Sequence, residues 1–220
     1  MAKIILFQGD SITDCRRIRE DDSMAGHGYA SMVAGELGYK YPEQYSYVNR
    51  GISGNRIVDV YARIKSDIIN LRPDYMSLLI GVNDVWHELG GVCNGVSTEK
   101  YEKIYGMLIE EVKEALPEIK IMILEPFVLQ GTATISTEED PNRWNSFQSE
   151  VFKRAKSSHQ IATKYNLPFV PLQKKFDEAC QSAEPSYWLR DGVHPTAMGH
   201  NIIMKEWIKA FENMVNLPNR

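Results

Sequence analysis

Short apolar runs alternate along the chain with longer stretches in which apolar residues recur at helical spacing. Five of the runs have the length of a buried strand, and they cover Lys3–Phe7, Tyr47–Asn49, Tyr75–Ile80, Ile119–Leu124 and Leu167–Pro171. The prolines in the last run favour an edge position, because proline donates no hydrogen bond to a neighbouring strand. The alternation of strands and helices predicts an α/β fold, a three-layer α/β/α sandwich around a five-stranded parallel sheet.

The stretches between these runs carry the helical spacing. Helices are predicted over 29–37, 57–71, 97–115 and 144–165, and from Thr196 onward. Gly38, Pro73 and Pro117 are expected to end the first three of them. A glycine-rich loop is predicted from Trp86 to Ser97, and a long loop from the fourth strand to about 141. Because a structureless connection of that length is uncommon unless it is functional, the long loop is expected to form part of a pocket wall.

Length and composition limit the fold and the partners. The 220 residues, 43% of them hydrophobic, fit one domain that spans 1–220. The net charge of −4 and the scattered basic residues argue against a nucleic-acid partner, and no apolar run approaches the length of a membrane span. The chain starts without the pattern of a secretory signal, and its three cysteines are widely separated. We therefore expect reduced thiols and a cytoplasmic location.

The first strand leads directly into Gly9-Asp10-Ser11, where a serine hydroxyl would face the carboxyl edge of the sheet, the place where open α/β folds bind ligands. Glycine, aspartate and serine are also ordinary turn formers, so the tripeptide alone is weak. A serine nucleophile needs a base. His194 is the best placed of five histidines, because Asp191 lies three residues before it and can orient its ring. The alternative for that segment is an Asp-Gly turn that opens a helix.

Three further motifs occur with Gly9-Asp10-Ser11 in the order and rough spacing of four signature blocks. They are Asn49–Asn55, Gly81–Asp84 and Asp191–Pro195. With them the chain, from Ile4 to about Trp207, resembles the SGNH hydrolases, also called the GDSL esterase and lipase family. It is most similar to carbohydrate acetyl esterases of the acetylxylan esterase type. The resemblance implies a flavodoxin-like SGNH fold and a serine esterase with a catalytic triad of Ser11 as nucleophile, His194 as base and then acid, and Asp191 as its orienting partner.

The resemblance also implies an oxyanion hole. Attack on an ester develops negative charge on the carbonyl oxygen, and that charge must meet hydrogen-bond donors already aimed at it. The positions that match the family's donors are the backbone N–H groups of Ser11 and Gly54 and the side-chain amide of Asn83. Taken singly, Gly54 is equally typical of a turn with positive φ, and Asn83 of a turn-forming Asn-Asp pair.

The candidate substrate-binding residues are Asp10, Trp86, Trp188 and Arg190. The two tryptophans could stack on a sugar ring or wall an acyl pocket, and packing in the core or at the rim is the alternative. Arg190 stands where many relatives have an aromatic residue, which leaves the substrate platform open. Asp10 is interpreted first of all as an acceptor that locks its own turn.

The resemblance favours a small ester or an acetylated saccharide as substrate, with short acyl groups. A lysophospholipase, a thioesterase or an acyltransferase of the same fold shares the first half-reaction. A flavodoxin-like binding module without chemistry is the alternative from a different class. A homo-oligomer is possible, and no membrane partner is expected.

No cofactor and no metal are expected. His87 and Glu88 follow Asp84 closely enough to suggest a metal-dependent deacetylase, but no second cluster of histidine or aspartate supports that idea. Cys15 is close to Ser11 in sequence and is expected to be a passive thiol. His200 is expected to lie on a surface or on a helix face.

Overall fold

A parallel sheet lies at the centre of the computed structural model, which describes residues 2–91 and 93–216. Its strands are β1 (Lys3–Gly9), β2 (Tyr45–Asn49), β3 (Tyr75–Leu79), β4 (Lys120–Leu124) and β5 (Phe169–Val170). Their order is β2-β1-β3-β4-β5, every neighbouring pair is parallel, and β5 lies at an edge. Met1, Val92 and residues 217–220 of the predicted domain 1–220 lie outside the described residues.

Helices cover both faces of this sheet. They are α1 (Ser11–Asp14), α2 (Tyr29–Lys40), α3 (Ile57–Ala62), α4 (Ile64–Asp67), α5 (Val82–Leu89), α6 (Thr98–Ala115), α7 (Arg143–Lys164), α8 (Gln173–Ala179), α9 (Pro185–Trp188) and α10 (Ala197–Met214). Alternate side chains of β1 enter different cores, since Phe7 packs with Trp207 of α10 and Leu6 with Tyr105 of α6. The predicted three-layer α/β/α sandwich is therefore confirmed. In the described part of the chain, no helix combines the length and apolar character needed to cross a membrane.

The single helix predicted over 57–71 is wrong. The segment divides into α3, α4 and a short 3₁₀ turn at Ile69–Leu71. Arg63 lies at the first junction, with φ of −109° and ψ of 19°. Its guanidinium donates to the carbonyl of Arg50 at 2.7 Å, so its side chain is fixed to a turn at the sheet edge. Apolar periodicity does not report such a polar contact.

Two predicted boundaries are also wrong. α2 continues through Gly38 to Lys40, because an internal glycine costs a helix only about 1 kcal/mol and the buried apolar face holds it in place. The predicted loop from Trp86 begins later, since α5 runs to Leu89. Trp86 packs edge-on against Phe147 of α7, with ring centroids 6.1 Å apart, and this tertiary contact supports the extra turn.

Candidate active site

The side chains of Ser11, His194 and Asp191 form a continuous hydrogen-bonded chain at the carboxyl edge of the sheet. Ser11 Oγ lies 3.0 Å from His194 Nε2, and His194 Nδ1 lies 2.7 Å from Asp191 Oδ2. The contact with a carboxylate places the ring proton on Nδ1, so Nε2 is left to accept the proton of the Ser11 hydroxyl. The fold thus brings together the three residues that the sequence singled out, across a separation of 183 positions between Ser11 and His194.

Asp191 is held in a tight turn that also carries His194. Its Oδ1 accepts the backbone N–H groups of Val193 at 3.0 Å and His194 at 2.8 Å. Gly192 has φ of +95°, and a Cβ there would lie 2.6 Å from the carbonyl oxygen of Leu129, so the turn requires glycine. Burial acts to raise the pKa of Asp191, but the hydrogen bonds from His194 and Val193 outweigh it and hold the pKa well below its usual range.

The long loop between β4 and α7 supports this turn from behind. The N–H of Leu129 donates to the carbonyl of Gly192, and the N–H of Ala133 to the carbonyl of Asp191, both at 2.9 Å. Residues 125–142 contribute nothing to the lining of the cavity at Ser11. The prediction that this loop forms part of the pocket wall is therefore wrong, because the loop is folded against the back of the turn.

Ser11 is the first residue of α1, a single helical turn directly after β1. Asp10 caps that turn, and its Oδ1 accepts the N–H of Ile12 at 2.9 Å. The interpretation of Asp10 as an acceptor that locks its own turn is confirmed. Its prediction as a substrate-binding residue is wrong, because Asp10 is 0% exposed and lies beneath the cavity floor.

Three hydrogen-bond donors belong to residues that line the same cavity: the backbone N–H groups of Ser11 and Gly54 and the side-chain amide of Asn83. Within the described part of the chain, the backbone N–H groups of Ser11 and Gly54 have no protein acceptor. The side-chain amide of Asn83 donates one N–H to the carbonyl of Asn55 at 3.1 Å, which leaves its second N–H available. Gly54 has φ of +82°, a conformation that glycine adopts readily. The arrangement can receive negative charge on an oxygen next to Ser11.

Side-chain hydrogen bonds fix the turns that carry these donors. The backbone N–H and the hydroxyl of Ser53 both donate to Asp14 Oδ2, at 2.9 and 3.1 Å, which ties the Gly54 turn to α1. Both carboxylate oxygens of Asp84 accept the N–H of Ile57, at 3.1 and 3.2 Å. The donors are therefore held in place before a substrate arrives.

Arg63 is a positioning residue that the sequence did not reveal. Its guanidinium donates to the side chain of Asn55 at 2.8 Å, to the carbonyl of Arg50 at 2.7 Å and to the carbonyl of Gly9 at 3.3 Å. It therefore joins the end of β1 to the segment that carries Gly54. The only signal in the sequence was a basic residue inside an apolar-periodic stretch, which is ordinary for a helix.

The site opens into a cavity of about 760 Å³ that Trp86 and Arg190 both line. The Trp86 ring lies 5.7 Å from the His194 ring, centroid to centroid. Trp188 lines a separate groove and is not among the described residues that line the cavity at Ser11, so its role in substrate binding stays a prediction. Trp188 lies at that groove because α9 packs against the start of α10, where the carbonyl of Trp188 accepts the N–H of Thr196 at 2.9 Å.

The described residues give no support to a metal site beside Asp84. His87 lines the cavity, but Glu88 accepts the N–H of Gly95 at 3.0 Å. Over residues 2–91 and 93–216, no group of three histidine, cysteine, aspartate or glutamate side chains is arranged to hold a metal ion.

Comparison with known proteins decides the family. The sequence profile of the GDSL-like Lipase/Acylhydrolase family matches residues 7–202. The chain belongs to this family. This hydrolase is also 36% identical, over 215 residues, to the acetylxylan esterase of Geobacillus stearothermophilus, a match that covers 93% of this chain and 92% of that enzyme. It is therefore a carboxylic ester hydrolase, as the motifs predicted.

Solved structures share the fold of this GDSL-like hydrolase. A protein of Parabacteroides merdae described as a GDSL-like lipase matches with a TM-score of 0.87 at 36% identity, over 96% of both chains. The Geobacillus acetylxylan esterase matches with a TM-score of 0.82 at 33% identity, over 94% of this chain and 93% of that one. Variants of that esterase described as catalytic mutants replace a serine, an aspartate and a histidine. The predicted SGNH fold is confirmed.

His200 of the hydrolase lies on the buried face of α10, with 4% of its surface exposed, and its Nε2 lies 3.4 Å from Cys15 Sγ. Its Nδ1 accepts the N–H of Tyr29 at 3.2 Å, so the neutral ring carries its proton on Nε2 and cannot take one from the thiol. Burial, assisted by the charges of His194 and Arg190, lowers the pKa of His200 to about 4. Burial also raises the pKa of the Cys15 thiol. Cys15 is therefore not an activated nucleophile, although a histidine lies beside it.

Two carboxyl groups lie buried beneath the site of the hydrolase. Asp10 and Asp84 are both fully buried. Burial raises the pKa of Asp10 to about 7, against the N–H of Ile12 and the charge of His194. Burial also raises the pKa of Asp84 to about 8, against the N–H of Ile57 and the charge of Arg154. At a pH between 3.8, the ordinary pKa of an aspartate, and these raised pKa values, the two carboxyl groups are protonated in the folded protein and ionised in the unfolded chain.

Replacing Asp84 with asparagine is expected to change how stability depends on pH. Because the folded pKa of Asp84 is raised, its contribution is fully present below pH 3.8 and is lost as the pH rises toward 8. Asparagine keeps an oxygen for the Ile57 N–H and has no proton to lose. We expect the free energy of unfolding of Asp84→Asn to gain on that of wild type by about 1.4 kcal/mol for each pH unit between pH 5 and pH 7, measured by urea denaturation.

The matched control for this prediction is Glu114→Gln, which removes a carboxylate from an exposed position on α6. Its unfolding free energy should follow the pH dependence of wild type. A variant Asp84→Asn that loses stability with rising pH as steeply as wild type would show that Asp84 is ionised in the folded protein at neutral pH.

Proposed function

We propose that this chain is a serine esterase that removes short acyl groups, acetyl above all, from a carbohydrate or a related small ester. The observation that carries the proposal is the hydrogen-bonded chain from Ser11 through His194 to Asp191, open to a cavity whose lining residues supply three donors. A binding module without chemistry has no use for such an alignment of nucleophile, base and orienting carboxylate.

The first half-reaction transfers the acyl group to Ser11. The Ser11 hydroxyl gives its proton to His194 Nε2 while Oγ forms a bond to the ester carbon, and the carbonyl π electrons move onto the oxygen. The tetrahedral intermediate collapses when that oxygen reforms the carbonyl, the bond to the leaving alcohol breaks, and His194 returns its proton to the leaving oxygen. Asp191 stabilises the imidazolium between these two events, because it stays ionised.

The second half-reaction repeats these steps with water. His194 takes a proton from the water, the hydroxide attacks the acyl carbon, and the bond from that carbon to Ser11 Oγ breaks as Oγ regains its proton. The N–H groups of Ser11, Gly54 and Asn83 hold the negative oxygen in both intermediates. Each such donor typically contributes about 10² to 10³ in rate.

The carbohydrate ester is supported by the relative that is named for it. The acetylxylan esterase of Geobacillus stearothermophilus is 36% identical over nearly the whole chain, and its variants described as catalytic replace the same three residue types as Ser11, Asp191 and His194. Trp86 adds an aromatic surface beside His194 on which a sugar ring can stack. The esterase of Geobacillus has a tryptophan directly before its aspartate, whereas this chain has Arg190.

The substrate proposal predicts a preference for short acyl groups. We expect kcat/KM on aryl esters to fall about tenfold or more between acetate and butanoate, because extra methylenes must fit a site shaped for acetyl. The test is a panel of aryl esters of increasing chain length together with acetylated xylo-oligosaccharides and other sugar acetates. Product analysis in the presence of added alcohol separates hydrolysis from acyl transfer.

The opposite trend would contradict this proposal and support a lysophospholipase or thioesterase. Each methylene buried in an acyl-binding groove contributes about 0.8 kcal/mol, so kcat/KM would then rise roughly fourfold for each added methylene. The control is Ser182→Ala, which removes an exposed hydroxyl that is not part of the cavity lining and should leave the profile unchanged.

A further inference from the structure

The lining of the cavity concentrates positive charge. Arg16 and Arg190 both line it, and no aspartate or glutamate stands among its described lining residues. Ion pairs between arginine and a carboxylate, over the described ranges, are made by other arginines: Arg19, Arg50, Arg56, Arg63, Arg143 and Arg154. Among the described residues, neither Arg16 nor Arg190 therefore forms an ion pair with a carboxylate.

The backbone at Arg16 is held in an uncommon conformation. Cys15 and Arg16 have consecutive positive φ values of 35° and 61°, a region that residues other than glycine rarely adopt. The segment is fixed on both sides, since the N–H of His27 donates to the carbonyl of Cys15 at 2.9 Å and Arg17 Nε donates to the carbonyl of Gly51 at 2.8 Å. Such conformations persist where the surrounding structure imposes them, and they cluster at functional sites.

Arg190 is carried by the turn that also carries His194. The N–H of Arg190 donates to the carbonyl of His194 at 3.0 Å, and Leu189 pairs with Pro195 beside them. Because His194 has to reach the leaving oxygen to protonate it, the leaving alcohol lies on the side of the cavity where this turn stands. Arg190 is therefore placed to meet the alcohol part of the ester.

The two arginines share the cavity lining with Cys15, and Arg16 follows Cys15 directly in sequence. Burial is the main cause that raises the pKa of the Cys15 thiol; the N–H of His27 and the charges of Arg190 and Arg16 lower that pKa, and the charge of Asp14 raises it. The chain carries a net charge of −4, so the positive lining of the cavity is a local feature and not a reflection of overall charge.

We propose that Arg16 and Arg190 form an anion-binding subsite, and that the natural substrate is an acyl ester whose alcohol part carries a carboxylate or a phosphate group. An acetylated uronic acid or an acetylated sugar phosphate has this chemistry. The planar guanidinium group donates two parallel hydrogen bonds to either anion. This inference rests on the proposed esterase function and adds a charge requirement to its substrate.

The proposal predicts a preference for charged over neutral esters. Three substrates isolate the charge: a monoacetylated methyl glucoside, the corresponding methyl glucuronide and the corresponding glucose 6-phosphate. We expect wild-type kcat/KM to be about tenfold higher for one or both anionic esters than for the neutral one. Added salt should reduce this ratio, because ions screen exposed charges. The anionic ester with the higher kcat/KM relative to the neutral ester identifies carboxylate or phosphate as the recognised group.

Substitutions assign the preference to the two arginines. Arg16→Gln and Arg190→Gln should each lower the ratio of anionic to neutral kcat/KM about threefold to tenfold, chiefly through a higher KM for the anionic ester. Arg16→Lys and Arg190→Lys should retain part of it, since the charge remains. The matched control is Arg72→Gln, at another exposed arginine with positive φ that lies outside the cavity, and its ratio should equal that of wild type.

Two outcomes would overturn the subsite. One is a wild-type ratio near one on all three substrates. The other is a loss in the glutamine variants that affects neutral and anionic esters equally, because that pattern indicates a structural role. If aryl acetates are hydrolysed while the ratio stays near one, the esterase proposal stands and only the subsite fails.

A binding measurement keeps the subsite testable even without turnover. Titration calorimetry with methyl glucuronide, methyl glucoside and inorganic phosphate needs no ester hydrolysis. Wild type should bind an anion more tightly than methyl glucoside, and the double variant Arg16→Gln/Arg190→Gln should lose the difference. Equal binding of charged and neutral sugars by wild type would refute the subsite whatever the esterase assays show.

Discussion

Replacing Ser11 with alanine is expected to lower kcat for an aryl acetate by about 10⁴ to 10⁶ while leaving the fold intact. Among residues 2–91 and 93–216, the Ser11 hydroxyl has one side-chain hydrogen-bond partner, His194 Nε2 at 3.0 Å, so its removal is expected to leave the fold intact. Without Oγ the acyl-enzyme cannot form, and the remaining donors can only assist direct attack by water. The measurement is steady-state hydrolysis, with circular dichroism and thermal unfolding as checks on folding.

A second readout separates chemistry from binding. A serine-directed phosphonate should label wild type with one equivalent and should leave Ser11→Ala unlabelled, as judged by the mass of the intact protein. Ser182→Ala, at an exposed serine whose hydroxyl donates to the carbonyl of Ala179, is the control and should retain both labelling and turnover. Wild-type rates in Ser11→Ala would eliminate the serine mechanism.

Replacing Asp191 with asparagine is expected to lower kcat by about 10⁴. The backbone N–H groups of Val193 and His194 both donate to Oδ1, so an asparagine would keep its oxygen there and turn its NH₂ toward His194 Nδ1. His194 Nδ1 would then accept a hydrogen bond from that NH₂ group, and the ring proton would move to Nε2. An Nε2 that carries a proton cannot take one from Ser11, so the base would be lost with little change in geometry.

The control for Asp191→Asn makes the same substitution on α8. Asp177→Asn changes an exposed carboxylate that accepts a hydrogen bond from Gln173 at 2.9 Å, and kcat should stay at the wild-type level. A value of kcat within tenfold of wild type in Asp191→Asn would mean that the tautomer of His194 does not depend on this carboxylate, and the proposed role of Asp191 would be abandoned.

The architecture of the sheet was accessible from local patterns. The apolar runs at Tyr75–Ile80 and Ile119–Leu124 correspond to buried strands, because continuous apolar character is what a strand covered on both faces requires. The turn after β1 and the Asp191–His194 turn were also visible, since each is specified by neighbouring residues. Asp191 and His194 lie three positions apart, so one local turn suffices to join them.

Local patterns failed where polar contacts cross the fold. Trp188 is near Asp191 in sequence, yet α9 packs it against α10, where it lines a separate groove. The loop after β4 was expected at the pocket but supports the Asp191 turn from behind. His200 reaches Cys15 across 185 positions, a contact for which neither segment carries a signal.

The strand pattern, the nucleophile turn and the pair of Asp191 and His194 can be predicted from the amino-acid sequence, because each depends on interactions between residues close along the chain. Three juxtapositions emerge only from the fold: the Ser11 hydroxyl meets His194, Arg63 joins the end of β1 to the segment that carries Gly54, and Arg16 and Arg190 line one cavity. Those juxtapositions arise when parallel strands bring their carboxyl ends to one edge of the sheet, and the spacing of residues along the chain does not encode which side chains meet there.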